Sequence, residues 1–133
     1  MANQPIFPGS IQTPVVSITD TDGMSIKTFV TAGTNGTRID SISATSTDTV
    51  DANLVLIHND GINDYVLGTI IIPASSGNNG TDTSVDILND TDLPFLRGDL
   101  AHYLQSGHIL KVQVQTVLSA STKIDLTAVC GDY

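Results

Sequence analysis

Fourteen aspartates, three histidines and one cysteine carry most of the reactive chemistry open to this 133-residue chain. Two aspartate-rich stretches put side-chain oxygens at a spacing that could cradle a cation: Asp20-Thr-Asp22-Gly23, and Asn59-Asp60-Gly61 followed by Asn63 and Asp64. Calcium needs about six to eight oxygens, and an EF-hand loop closes on a bidentate glutamate. The sequence contains no Glu. Asp-Gly and Asn-Asp-Gly are also the residues of tight hairpin turns, because they tolerate positive φ. The turn reading is preferred, and no metal ligand is assigned. His102 and His108 stand six apart with no Cys or Glu beside them to complete a tetrahedral zinc set. His58 follows an apolar run and opens a turn, so all three are read as separate imidazoles, partly buried or at the surface.

Nucleophilic catalysis needs a Ser or Cys on a sharp elbow with a base and an orienting acid. No Gly-x-Ser-x-Gly occurs, no Walker-type phosphate loop occurs, and Cys130 has no histidine partner in a local signature. A glycosidase built on two aspartates would need a cleft, for which 14.0 kDa leaves little room. Arg97-Gly98-Asp99 spells an adhesion tripeptide, and a turn with an Asp cap explains the same residues. The expectation is a protein that is not an enzyme, with no catalytic, cofactor-binding or metal site.

Composition fixes the elements that position these residues. Glu, Lys and Arg, which usually clothe exposed helices, number five in all, against 17 Thr and 14 Asp. From Val15 onward, short apolar runs alternate with turn clusters. Strands are expected at 15–19, 25–31, 37–46, 52–58, 64–72, 83–88, 109–118 and 123–130. In the last two, Leu110, Val112 and Val114, then Ile124, Leu126, Ala128 and Cys130, alternate with polar residues as in half-buried strands. Cys130 falls on the apolar side, which makes it a quiet buried thiol. As the only cysteine, it allows no intrachain disulfide.

Residues 53–57 and 65–72 are apolar on both sides, so both strands are expected to be covered on both faces, either by a second sheet plus a neighbour or by a subunit interface. His58–Asp64 joins them as a hairpin turn. Ile39 and Ile42 break alternation and predict a bulge or a change of face. Residues 73–82 form a solvent loop. Within 89–108, Leu93–Leu96 and Leu100–Leu104 are expected to hold a short helical turn, with Asp99 as N-cap. Pro5, Pro8 and Pro14 suggest that residues 1–13 form an extended arm anchored by Ile6 and Phe7. The fold class is therefore all-β: a single-domain antiparallel β-sandwich over residues 14–133, jelly-roll-like, with an extended N-terminal arm.

Charge narrows the partners. The formal net charge is −9, and the basic residues are only Lys27, Arg38, Arg97, Lys111 and Lys123. Five scattered cations cannot line a phosphate backbone or an anionic bilayer, so neither nucleic acid nor membrane is an expected partner. No stretch approaches the roughly 18 apolar residues of a membrane span. The first residues lack the basic and apolar regions of a signal peptide, and folding in a cytosol is expected.

Four stretches also resemble small proteins encoded in the structural modules of tailed phages and prophages. They are Met1–Phe7, Thr31–Ile42, Leu54–Gly61 and the ending Gly131-Asp-Tyr133. The family ending is usually Gly-Gly-Asp-Tyr, and Cys130 stands here for the first glycine. The resemblance implies a β-sandwich virion component of the capsid decoration or cement type, bound to the major capsid protein or other virion proteins. It implies a homo-oligomer, for which a trimer is one form that suits the local threefold axes of a capsid, and brings no catalytic or ligand-binding residues. The competing expectation is a tail- or fibre-associated module that attaches to host glycans.

Overall fold

β-Branched side chains at alternate positions favour extended backbone, and Asp, Asn and Gly clusters between them favour reversals. The chain follows that division. A computed structural model describes residues 9–96 and 100–133. The described residues form ten strands: β1 (Ser10–Gln12), β2 (Val15–Thr19), β3 (Lys27–Thr31), β4 (Thr37–Ser46), β5 (Ala52–Asn59), β6 (Asp64–Ile72), β7 (Val85–Asp86), β8 (His102–Leu104), β9 (Ile109–Val114) and β10 (Lys123–Asp132). Asp20–Asp22 and Pro94–Leu96 are single 3₁₀ turns. Among the described residues, no helix is long and apolar enough to cross a membrane.

The strands make two antiparallel sheets packed face to face. In the first, β10 lies beside β4 along most of its length. The other edge of β10 carries β1 against Cys130–Asp132 and β2 against Lys123–Thr127. The far edge of β4 carries β7 and β8. The second sheet has the order β3-β9-β5-β6. Ile18, Ile39, Ile42, Ile124 and Leu126 from the first sheet meet Leu54, Leu56, Ile70, Leu110 and Val112 from the second in one continuous core.

Periodicity held where it was clearest. Leu110, Val112 and Val114 are buried, as are Ile124, Leu126, Ala128 and Cys130. Along β4 and β10, Val129 faces Ser41 and Cys130 faces Ile39, which leaves Asp40 unopposed. That bulge turns both Ile39 and Ile42 into the core.

Two expectations need correction. Residues 100–104 do not form a helical turn: His102–Leu104 is β8, paired with Thr37–Ile39. His102 and Leu104 are buried and Tyr103 is exposed, a period of two too short to recognise in sequence. Pro94–Leu96 does turn helically, while the proposed cap Asp99 lies outside the described residues. The second correction concerns β6, which the chain itself does not cover on both faces. β5 is covered on both faces, with Val55 and Ile57 buried opposite Leu54 and Leu56. β6 is the sheet edge, and its Val66 and Ile71 are 68% and 59% exposed.

The segment 89–96 crosses close to β6. Leu93 is fully buried, and a Cβ on Gly68 would stand 2.7 Å from Leu93 Cδ2 and 3.2 Å from the Asp92 carbonyl oxygen. Gly68 leaves the space that Leu93 fills. Asp48 is a buried carboxylate at the far end of β4. It accepts hydrogen bonds from Ser119 Oγ (2.8 Å), Ser119 N (3.2 Å) and Val50 N (3.1 Å), and so fixes the loop that leads into β10. Burial works against its charge, but the donors at Ser119, Val50 and Thr49 outweigh it and hold the carboxyl below its ordinary range.

Candidate functional site

The three histidines, scattered in sequence, meet at one end of the sandwich. His58 lies in β5 opposite Leu110 of β9, on the same side of the strand as Leu54 and Leu56. His102 comes from β8 in the other sheet, opposite Ile39. His108 stands in the turn before β9, where its N–H donates to the Gln105 carbonyl (3.0 Å). His58 Nδ1 is 3.0 Å from His102 Nε2, and His58 Nε2 is 2.8 Å from His108 Nδ1. The rings meet edge to face, with centroids 5.2 and 5.0 Å apart. Phe95 closes over His102 in the same manner at 5.7 Å. The result is a linear chain of imidazoles with His58 in the middle, joining one sheet to the other.

Burial sets the electrostatics. His102 is 8% exposed, and burial, then the neighbouring His58, pushes its pKa down to about 4. His58 is lowered by burial first and by His108 second, with Asp60 acting in the opposite direction. Both rings are therefore neutral at pH 7, where each supplies one donor and one acceptor nitrogen. Such a chain can hold and relay protons. His58 spends its two nitrogens on two different neighbours, and among the described residues no three His, Cys or Asp side chains converge as metal ligands would.

The aspartate stretches are built as turns. Asp22 accepts from Thr19 N (2.7 Å), Thr19 Oγ1 (3.0 Å) and Lys27 Nζ (3.0 Å). Asp60 Oδ1 accepts from Ile62 N (2.9 Å) and Asn63 N (2.7 Å), while its Oδ2 accepts from the Tyr65 hydroxyl (3.3 Å). Asn59 Oδ1 accepts from Gly61 N (2.8 Å), and Asn59 Nδ2 donates to Asp64 Oδ1 (2.7 Å). Hydrogen bonds within the turns lower Asp22, Asp60 and Asp64 below the ordinary carboxylate value. Cys130 is buried, and its thiol is pushed up to about 12 by burial, with Asp132 and Asp40 adding to the shift, so it is inert at neutral pH. Arg97-Gly98-Asp99 lies outside the described residues.

Sequence reasoning missed the histidine chain. His102 and His108 are separated by a strand and a turn, and His58 reaches them only because β5 pairs with β9. No local spacing encodes that meeting.

Two outward surfaces complete the description. On the second sheet, the exposed Val66 and Ile71 of β6 stand opposite the buried Ile57 and the exposed Asn53 of β5, with Thr69 opposite the buried Val55 between them. On the first sheet, Ile11, Gly131, Arg38 and Tyr103 form one outward row across β1, β10, β4 and β8. Arg38 Nε donates to Asp40 Oδ1 at 2.8 Å there. No protein-family model matches the chain, and no curated protein matches it.

Proposed function

We propose that this chain is a non-enzymatic structural protein of a tailed-phage virion that decorates and cements the capsid by binding the major capsid protein. One observation carries the reading. Val66 and Ile71 stand largely exposed on one face of the edge strand of the second sheet, with Thr69 between them. An edge strand with exposed apolar side chains supports a surface that another protein covers. The resemblance of Met1–Phe7, Thr31–Ile42, Leu54–Gly61 and Gly131–Tyr133 to phage structural proteins supplies the kind of partner. A homo-oligomer, with a trimer on local threefold axes, follows from the same resemblance.

The sandwich is read as jelly-roll-like. Support comes from the order of rows: β1 and β2 together, β10, β4, then β7 and β8 together, facing β3-β9-β5-β6. Eight rows in two sheets, with early and late strands side by side, suit that topology. The alternative is a tail- or fibre-associated module that binds host glycans. Tyr103, half-exposed beside the Arg38–Asp40 pair, is the observation in its favour.

Imaging of purified particles tests the proposal. Hundreds of copies on the head are expected, and Val66→Asp with Ile71→Asp should weaken attachment to emptied heads at least about tenfold. A few copies at the tail, or undiminished attachment of the double variant, would overturn it. Saturable binding on a glycan array, lost in Tyr103→Ala, would favour the alternative.

A further inference from the structure

The histidine chain has a proton stoichiometry that can be counted. Three neutral imidazoles carry three N–H groups and three bare nitrogens. The two ring-to-ring hydrogen bonds, at 3.0 and 2.8 Å, use two of each. With one added proton, four N–H groups face two bare nitrogens, and both bonds survive with a protonated His58 donating in both directions. A second proton leaves one bare nitrogen for two contacts. One contact must then become N–H against H–N, between like charges. The chain accepts one proton and breaks on the next.

We propose that His58, His102 and His108 form an acid-released clasp between the two sheets, holding β8 and the 100–108 segment against the sandwich end and letting that segment go when a second proton arrives. The proposal does not depend on the virion reading. The contacts around the clasp favour release of this segment over the rest. β8 has three residues, and among the described residues its only backbone partner strand is Thr37–Ile39 of β4. Leu100, at its entry, has φ of 57°, a left-handed conformation unfavourable for leucine. Freed of the clasp, that residue can relax. β5 and β9, by contrast, are held by long ladders on both sides.

The neighbouring groups leave the histidines as the titrating element between pH 7 and 4. From the β5–β6 turn, Asp60 faces His58 and His108 and favours the charged form of His58. From β6, Tyr65 lies beside His58 in register, with its hydroxyl on Asp60. From β4 and β10, Ile39 and Cys130 share the row of His102, and the thiol stays protonated. From β9, Leu110 faces His58. From the 3₁₀ turn, Phe95 faces His102. His102 is lowered to about 4, as expected of a ring that takes up its proton late.

Hydrogen exchange with mass spectrometry, between pH 7 and 4 and corrected for intrinsic rates, tests the clasp on the full chain. Peptides covering 100–108 should lose protection by at least about tenfold while β5 and β10 keep theirs. Unchanged protection of 100–108 down to pH 4, or its loss together with β5 and β10, would overturn the proposal. His102→Phe, which keeps a ring against Phe95 but takes no proton, should abolish the selective loss. Should that variant fail to fold, ¹⁵N titration of the wild-type imidazoles decides instead. Coupled titration, with one ring neutral until about pH 4, supports the clasp, and three independent titrations near the ordinary value overturn it. Stabilisation by zinc that vanishes in His58→Asn would also overturn it, in favour of a metal site.

Discussion

Asp48 shows how one side chain can hold a loop. Its carboxylate takes three hydrogen bonds from Ser119 and Val50 in a site closed to water. Removing it strands those donors, and hydrogen bonds to a buried charge are each worth about 1.5–3 kcal/mol. Asp48→Ala should therefore cost about 2–4 kcal/mol and lower the thermal midpoint by roughly 10 °C. Asp48→Asn, which keeps one acceptor oxygen, should cost visibly less. Equal melting of Asp48→Ala and wild type by calorimetry would show the loop to be held by other means. At this scale the sequence was partly legible. Asp and Asn before Gly announce turns, and those turns formed at Asn59–Asp64. Nothing marks Asp48 as buried, because its donor Ser119 is 71 residues away. The histidines were unreadable for the same reason, since His58 meets its partners across 44 and 50 residues.

The longest elements were the most legible. β9 and β10 repeat their alternation often enough to be recognised, and the bulge in β4 announced itself through Ile39 and Ile42. β1 and β8 have three residues each, too few for any period, so one was passed over and the other was mistaken for a helical turn. β6 was expected to be covered on both faces because its composition matches β5, and apolar composition cannot tell an edge strand from a central one. The same strand supplies a test. Gly68→Ala would push a methyl group to 2.7 Å from the fully buried Leu93 and 3.2 Å from the Asp92 carbonyl. Overpacking of this kind costs about 1–3 kcal/mol. The double variant Gly68→Ala with Leu93→Val should recover part of that loss, and strict additivity in denaturant titrations would rule out the contact as its cause.

For the molecule as a whole, acid should act in two stages. His58 and His102 have lower pKa values folded than unfolded, so the unfolded chain binds more protons as the pH falls. Stability is then full above the ordinary histidine value of 6.5 and falls toward about 4. Asp22, Asp48, Asp60 and Asp64 are also lowered from 3.8, so a second loss begins as the pH passes below that value. Relief of self-repulsion from the net charge of −9 opposes the first loss, whereas below the isoelectric point near 4.2 the chain turns positive and growing repulsion adds to the second. Thermal midpoints measured from pH 8 to 2.5 should be highest at or above pH 7, decline toward 4 and decline again below it. A midpoint that climbs from pH 7 to 4.5 would contradict the assignment.

The pairing of β1 with the end of β10 has a mechanical consequence. Ser10 sits opposite Asp132, and Gly9 N donates to the Asp132 carbonyl oxygen at 2.6 Å. Tension applied between these neighbouring points would unzip the rungs one after another, because they are loaded in series and never share the pull. A tether on one of the two spares that seam, whereas a pull across both opens it at modest force.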